Sequence, residues 1–254
     1  MVGKKMNAHF SHPNFLNNKL TNIVSPYTEE DLKRQLYEVV DQGHYKSGLA
    51  GKDKEMTILD CGANIGIASL YFQPHAKVIY ACEPNADYYQ YLLQNTKDYE
   101  NILPFNVAVG TFNGSDTLFA SGEATHAESF FAQGKVRETV KCVTFDKFFE
   151  NNNIEHLDLL KIDVEGAEYP IFCSEGFTKV ASKIDGIVGE AHYVDQFIPA
   201  FIPTILEEQG FKVKFESIKN MWKKISYTLS NGQTKEYNLE LQTIFTARRI
   251  NVKT

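Results

Sequence analysis

From Met56 onward, apolar runs of four to seven residues alternate with longer segments whose apolar positions recur at helical spacing. MTILDC predicts a strand, followed by a helix from about Ile65 to Phe72. KVIYACE predicts a second strand, followed by a helix from about Asn85 to Lys97, and ILPFNVAV a third strand. Residues 111 to 142 break this rhythm with Gly, Ser and short polar runs and suit an antiparallel hairpin. The alternation resumes with a helix near Phe145 to Asn151, the strand LDLLKID, a helix from Glu165, the strand KIDGIVGEAHY and an apolar helix from about Asp195 to Gln209. Strands that alternate with helices imply parallel strands joined by crossovers, with helices on both faces of a doubly wound α/β sheet.

The two ends of the chain depart from this pattern. FKVKFES, ISYTLSNGQTKEYN with its Asn-Gly turn, and LQTIFTARR read as consecutive strands, which places an antiparallel edge on a mostly parallel sheet. Residues 1 to 25 are polar and irregular. Thr28 can cap a helix through about Val40, because Leu32, Leu36, Val39 and Val40 share a face and acids fill its first turn. The chain thus divides into an N-terminal arm and helix, residues 1–55, with the place of a substrate-side cover, and one α/β domain, residues 56–254.

Composition narrows the function. Of 254 residues, 43% are apolar and 23% charged, so the chain can bury a sizeable core. A net charge of −6 offers no basic track for a phosphate backbone, which disfavours nucleic acid as a partner. No apolar stretch is long enough for a membrane span, and MVGKKMNAHFSHPNF lacks the apolar run of a signal peptide, so the expected compartment is the cytoplasm. The four cysteines show no CxxC spacing, and their expected state is the reduced thiol.

The candidate chemistry begins at the first strand-to-helix turn, Asp60-Cys61-Gly62-Ala63-Asn64-Ile65-Gly66. A dinucleotide fingerprint starting at Gly62 would need glycines where Asn64 and Ile67 stand, and no Gly-Lys-Ser/Thr closes a triphosphate loop. Glu83 follows Asp60 by 23 residues, at the end of the second strand, where a carboxylate accepts ribose hydroxyl protons and repels a 2′-phosphate. The ligand these residues suit is adenosine-like, phosphate-free and positively charged, as S-adenosylmethionine is.

ILDCGANIG, ACEPN, FNVAVG and above all DLLKIDVEGAE resemble the FkbM family of class I S-adenosylmethionine-dependent methyltransferases, over roughly residues 56 to 193. The resemblance implies a Rossmann-like, seven-stranded sheet of order 3-2-1-4-5-7-6 with an antiparallel last strand. It also implies cofactor contacts at Asp60, Gly62, Asn64, Gly66, Glu83 and Asn85, and around Asn106 to Ala108 for the adenine. It points to O-methylation of a hydroxyl on a sugar or natural-product acceptor.

Alternation along LDLLKID sets Leu159, Lys161 and Asp163 on one face, so Asp163 reaches the site from a strand tip, beside both cofactor and acceptor. Glu190 and His192 lie two apart on the next strand and converge with it. His192 is the expected base, because its ordinary pKa near 6.5 leaves it largely neutral, with Asp163 and Glu190 beside it. Asp163, Glu190 and His192 could also hold a divalent metal, ranked below a metal-free site. Lys161, inside an apolar strand, should pair with a nearby acid. Glu165 and Glu168 read as helix-start carboxylates, and His44 receives no role. The segment 122–134 and Tyr45 suit an acceptor cover. The rival readings are N-methylation of a peptide side-chain amide or amine, a non-catalytic S-adenosylmethionine-binding protein and, more remotely, an NAD-linked oxidoreductase.

Overall fold

The computed structural model describes residues 6–8, 23–49, 55–120, 128–129, 136–192, 201–217, 222–228, 234–240 and 242–250. Strands β1 (Met6–Ala8) and β2 (Ile23–Ser25) pair antiparallel. Helix α1 (Glu29–Leu36) follows, with the Thr28 hydroxyl accepting the Asp31 N–H at 3.2 Å as its cap, and a π-helical turn continues it to Asp41. Ile23, Tyr27, Leu32 and Leu36 pack against Ile65, Ile67 and Tyr88, so this N-terminal segment shares a core with the α/β unit.

The alternating elements then run in the expected order. They are β3 (Met56–Cys61), α2 (Ile67–Phe72), β4 (Ala76–Cys82), α3 (Ala86–Thr96) and β5 (Ile102–Phe105), then β6 (Ala108–Gly110), β7 (Gly114–Ala120), β8 (Glu128–Ser129) and β9 (Val136–Thr144). Next come α4 (Phe145–Asn151), β10 (Leu159–Ile162), α5 (Glu168–Cys173), α6 (Glu175–Ala181) and β11 (Gly186–His192). The chain closes with α7 (Ile202–Glu208), β12 (Phe211–Ser217), β13 (Trp222–Thr228), β14 (Thr234–Glu240) and β15 (Gln242–Arg249).

Seven strands form the main sheet in the order β12-β15-β11-β10-β3-β4-β5. Counted along the chain this is the expected 3-2-1-4-5-7-6, and the last strand, β15, runs antiparallel to both β11 and β12. Period-two alternation divides the core between the two faces. Leu160 and Ile162 meet Phe148, Phe172 and Phe177 beneath α4 to α7, whereas Leu159 meets Ile58, Leu70 and Phe72 beneath α2.

Three expectations need correction. The strand ILPFNVAV is two strands: β5 closes the main sheet, and after a turn at Asn106 β6 joins β9, β7 and β8 in a second sheet. The helix expected from Glu165 starts at Glu168, because Glu165 and Gly166 take left-handed φ values of 52° and 103°, which no helix interior accommodates. The arm expected to be irregular through residue 25 ends in a paired strand with Ile23 and Ser25 buried. The expected Asn231-Gly232 turn, residues 195–200 of the expected apolar helix and most of segment 122–134 lie outside the described residues; β13 and β14 pair antiparallel. All four cysteines are free, with Cys61, Cys82 and Cys142 buried. Among the described residues no helix is long and apolar enough to cross a membrane.

Candidate active site

The tips of β3, β4 and β10 open a cleft whose shape begins with Gly62. Its φ is 77°, and a Cβ built there would lie 1.9 Å from the Asp163 carbonyl oxygen, so only glycine lets the first turn pass under the β10 tip. Asn64 also takes a left-handed φ of 52°, and its side-chain oxygen accepts the Tyr27 hydroxyl at 2.6 Å and the Ile65 N–H at 2.7 Å. Gly66, at φ 96°, lies tight against Leu92 of α3. Glu83 accepts the Asn64 N–H on one carboxylate oxygen and the Asn85 N–H on the other, both at 2.8 Å. Two backbone donors therefore fix the plane of a carboxylate that lines the cleft together with Gly62, Asn64, Ala108 and Asp163.

Besides Gly66, three expected cofactor residues are not part of the wall of this cleft. Asp60 is fully buried, accepting the Ser69 hydroxyl at 2.6 Å with the Lys161 ammonium 3.1 Å from its other oxygen. The strand pleat turns it inward under α2, so its charge neutralises Lys161. Lys161 in turn donates to the Gly62 carbonyl at 2.8 Å, which makes Asp60 a brace for the turn. Asn85 caps α3 by accepting the Tyr88 N–H at 2.8 Å. Asn106 is exposed, and its amide donates to the Glu83 and Pro84 carbonyls at 2.9 and 2.8 Å, holding the β4 tip.

A second lobe opens between the tips of β10 and β11 and the N-terminal helix. Here the structure brings Asp163, Glu190 and His192 together as the strand register requires, since Lys161 pairs with Val188 and Ile162 with Gly189. The Tyr45 hydroxyl lies 3.0 Å from Asp163 Oδ2 and 3.1 Å from Glu190 Oε1. His44 Nδ1 stands 3.4 Å from the same Glu190 oxygen. His192 Nδ1 is 3.0 Å from Glu168 Oε1, and Glu168 is itself held by the Val164 and Gly166 N–H groups at 3.0 Å each.

Electrostatics bear on the role expected of His192. Burial alone would lower its pKa, but Glu168, Glu165 and Asp163 outweigh that and hold it well above its usual value, which favours the imidazolium over the neutral base. Glu165 moves the other way for an acid. Burial lifts it, His192 pulls it back, and Asp163, Glu168 and Glu190 raise it again, to about 7. Burial, then Asp163 and Glu190, also lift the Tyr45 phenol, which stays a hydrogen-bond donor at neutral pH.

Spacing alone assigns Glu165 and Glu168 only helix-start roles and His44 none. Glu165 now faces both lobes, Glu168 orients His192, and His44 touches Glu190. An acid three residues after another, just past a strand tip, was the available signal for the glutamate pair. His44 and Tyr45 lie in a loop without periodicity, where nothing in the spacing reveals their partner.

Comparison with known proteins supplies the family. Residues 60–213, more than half of the chain, match the methyltransferase FkbM domain. A curated relative, hexuronic acid methyltransferase AglP of Haloferax volcanii, is 24% identical over 144 residues, which is 55% of this chain and 57% of the relative. The chain thus spans little more than half the length of that relative. Among solved structures, it is similar to precorrin-6y C5,15-methyltransferase of Geobacter metallireducens, at 16% identity and a TM-score of 0.44 over 80% of this chain and 85% of the other. It is also similar to TYW2 of M. jannaschii, solved in complex with AdoMet, at 14% identity and a TM-score of 0.39 over 88% and 78%. The matched domain identifies this chain as a member of the FkbM methyltransferase family, which takes its methyl group from S-adenosylmethionine.

Proposed function

We propose that this protein transfers the methyl group of S-adenosylmethionine to a hydroxyl of a sugar. The observation that carries the reading is the junction of the two lobes: Gly62, Asn64, Asp163 and Glu165 border both, so a cofactor in the first presents its reactive end to an acceptor in the second. The fixed Glu83 carboxylate suits the ribose hydroxyls. Ala108 lies toward the adenine end, and the Gly62–Gly66 turn holds the methionine end. Carboxylates at the junction favour a sulfonium, which carries positive charge.

In-line displacement at a methyl group requires an aligned nucleophile, and positioning supplies much of the rate. A general base adds about 10²- to 10⁴-fold when its pKa lies near the working pH. Glu165, at about 7, meets that condition, and the His192 imidazolium beside it, 3.7 Å from Oε2, stabilises its charged form. Tyr45 and Glu168 keep the cluster in place. The sugar acceptor is supported by the named activity of the Haloferax relative on hexuronic acid.

The test is methyl transfer from isotopically labelled S-adenosylmethionine to uronic-acid and neutral oligosaccharides, hydroxylated natural products and peptides, with product fragmentation. Label in an alkali-stable sugar ether is the expected result. Label on a peptide amide or amine would replace the reading with N-methylation. Calorimetry showing NAD bound and S-adenosylhomocysteine not bound would remove it.

A further inference from the structure

In the acceptor lobe four side chains bring atoms to one gap, at separations too long for hydrogen bonds between them. His192 Nε2 lies 3.7 Å from Glu165 Oε2, 3.9 Å from Asp163 Oδ1 and 3.9 Å from Glu190 Oε2. Each separation exceeds hydrogen-bond range. Asp163 Oδ1 and Glu190 Oε2 accept no hydrogen bond among the described residues, although the Glu190 side chain is only 9% exposed. Three carboxylates gathered around one imidazole repel one another, and a positive charge in the gap would offset that repulsion.

The same side chains are held from behind. His192 turns its other nitrogen to the Glu168 carboxylate, and that carboxylate is 1% exposed and locked by two backbone N–H groups. A carboxylate behind an imidazole fixes the ring and raises its basicity wherever histidine ligates a metal. Tyr45 holds the rear oxygens of Asp163 and Glu190. One ligand atom each from Asp163, Glu165 and His192 lies within 4.8 Å of the others. Two bonds of about 2.0–2.2 Å meeting at one ion span up to about 4.4 Å, so the cluster needs only slight closure.

We propose that Asp163, Glu165 and His192 bind one divalent cation in the acceptor lobe, with Glu190 flanking it. Carboxylates with one imidazole suit Mn²⁺ or a similar ion. The inference rests on the acceptor lobe assigned above and narrows the acceptor to one that offers an oxygen, or two neighbouring oxygens, to the open coordination positions. With the ion seated, His192 is a neutral ligand and Glu165 ligates instead of titrating near 7, so the base role given to Glu165 above describes the ion-free protein. A second cluster, His156, Asp158 and Asp185, is more exposed, and Asp158 already accepts the Thr57 N–H at 2.9 Å, so it serves as the internal control.

The experiment is Mn²⁺ titration of the full chain followed by electron paramagnetic resonance, with pulsed detection of imidazole nitrogen coupling. The expected result is one site with nitrogen coupling, lost in His192→Ala and weakened at least tenfold in Glu165→Gln. Glu168→Gln should weaken it about 10- to 100-fold through ring orientation. No site, a site without nitrogen coupling, or coupling retained in His192→Ala overturns the proposal. If the variants do not fold, Mn²⁺ broadening of wild-type imidazole resonances decides: His192 broadened before His156 supports the proposal, and the reverse overturns it. S-adenosylhomocysteine calorimetry on the same protein reports on the cofactor lobe alone, so failure of the ion site and failure of the methyltransferase reading are separate outcomes.

Discussion

Replacing Lys161 by methionine isolates the pair on which the first turn rests. Lys161 is 2% exposed and Asp60 fully buried, 3.1 Å apart, and the ammonium also donates to the Gly62 carbonyl. Burial lowers the Lys161 pKa, but Asp60 and then Asp163 raise it further, so the lysine is charged in the folded protein. Lys161→Met keeps the stem's volume and leaves Asp60 with the Ser69 hydroxyl as its one hydrogen-bond donor among the described residues. Removing one partner of a buried pair costs about 3–5 kcal/mol, because the other charge stays desolvated. At roughly 2–4 °C per kcal/mol for a chain near this size, Tm should fall by about 6–20 °C. Adding Asp60→Asn removes the stranded charge and should restore more than half of the loss. Thermal and urea melts followed by circular dichroism measure both variants. A loss under about 1 kcal/mol for Lys161→Met, or additive losses in the double variant, would refute the claim that Asp60 serves the lysine rather than the ligand.

Gly62→Ala should weaken S-adenosylhomocysteine binding more than tenfold by calorimetry, since its Cβ would meet the Asp163 carbonyl at 1.9 Å and the left-handed backbone alone costs about 1–2 kcal/mol. Tyr45→Phe should lower kcat by up to about 10²-fold through loss of alignment and weaken S-adenosylhomocysteine binding by less, because its hydroxyl holds Glu190 of the acceptor lobe and Asp163, which borders both lobes. The pH dependence follows from two raised groups. His192 contributes stability that is complete below its ordinary pKa of 6.5 and is lost as pH climbs through its higher folded value, so His192→Gln should flatten the fall in Tm on the alkaline side. The rise of kcat/KM with pH should centre near 7 and disappear in Glu165→Gln, with the midpoint belonging to the coupled glutamate and histidine together.

The sheet was legible because its strands and helices carry clean periodicities. MTILDC and LDLLKID are buried on both sides, and Asn85 and Thr28 sit where helix caps belong. Departures occur where backbone conformation, not side-chain pattern, decides. Asn106 breaks ILPFNVAV into strands of two sheets, and the left-handed Glu165 delays α5 by three residues. Within the site, convergence of Asp163, Glu190 and His192 followed from strand register alone. The protonation of His192 did not, because it depends on Glu165 and Glu168, which a simple helix start would have carried away from the ring. The inward turn of Asp60 was hidden for a related reason: a strand-end acid can point to the ligand or into the core, and its partner Lys161 lies 101 positions away.

A crystal structure of the complex with S-adenosylhomocysteine tests the central claim most directly. Ribose hydroxyls should lie within hydrogen-bond distance of the Glu83 carboxylate, with Asp60 still on Lys161 and the sulfur at the junction formed by Gly62, Asp163 and Glu165, its open side toward His192. A ribose away from Glu83, or a sulfur facing away from the Asp163, Glu190 and His192 cluster, would contradict it.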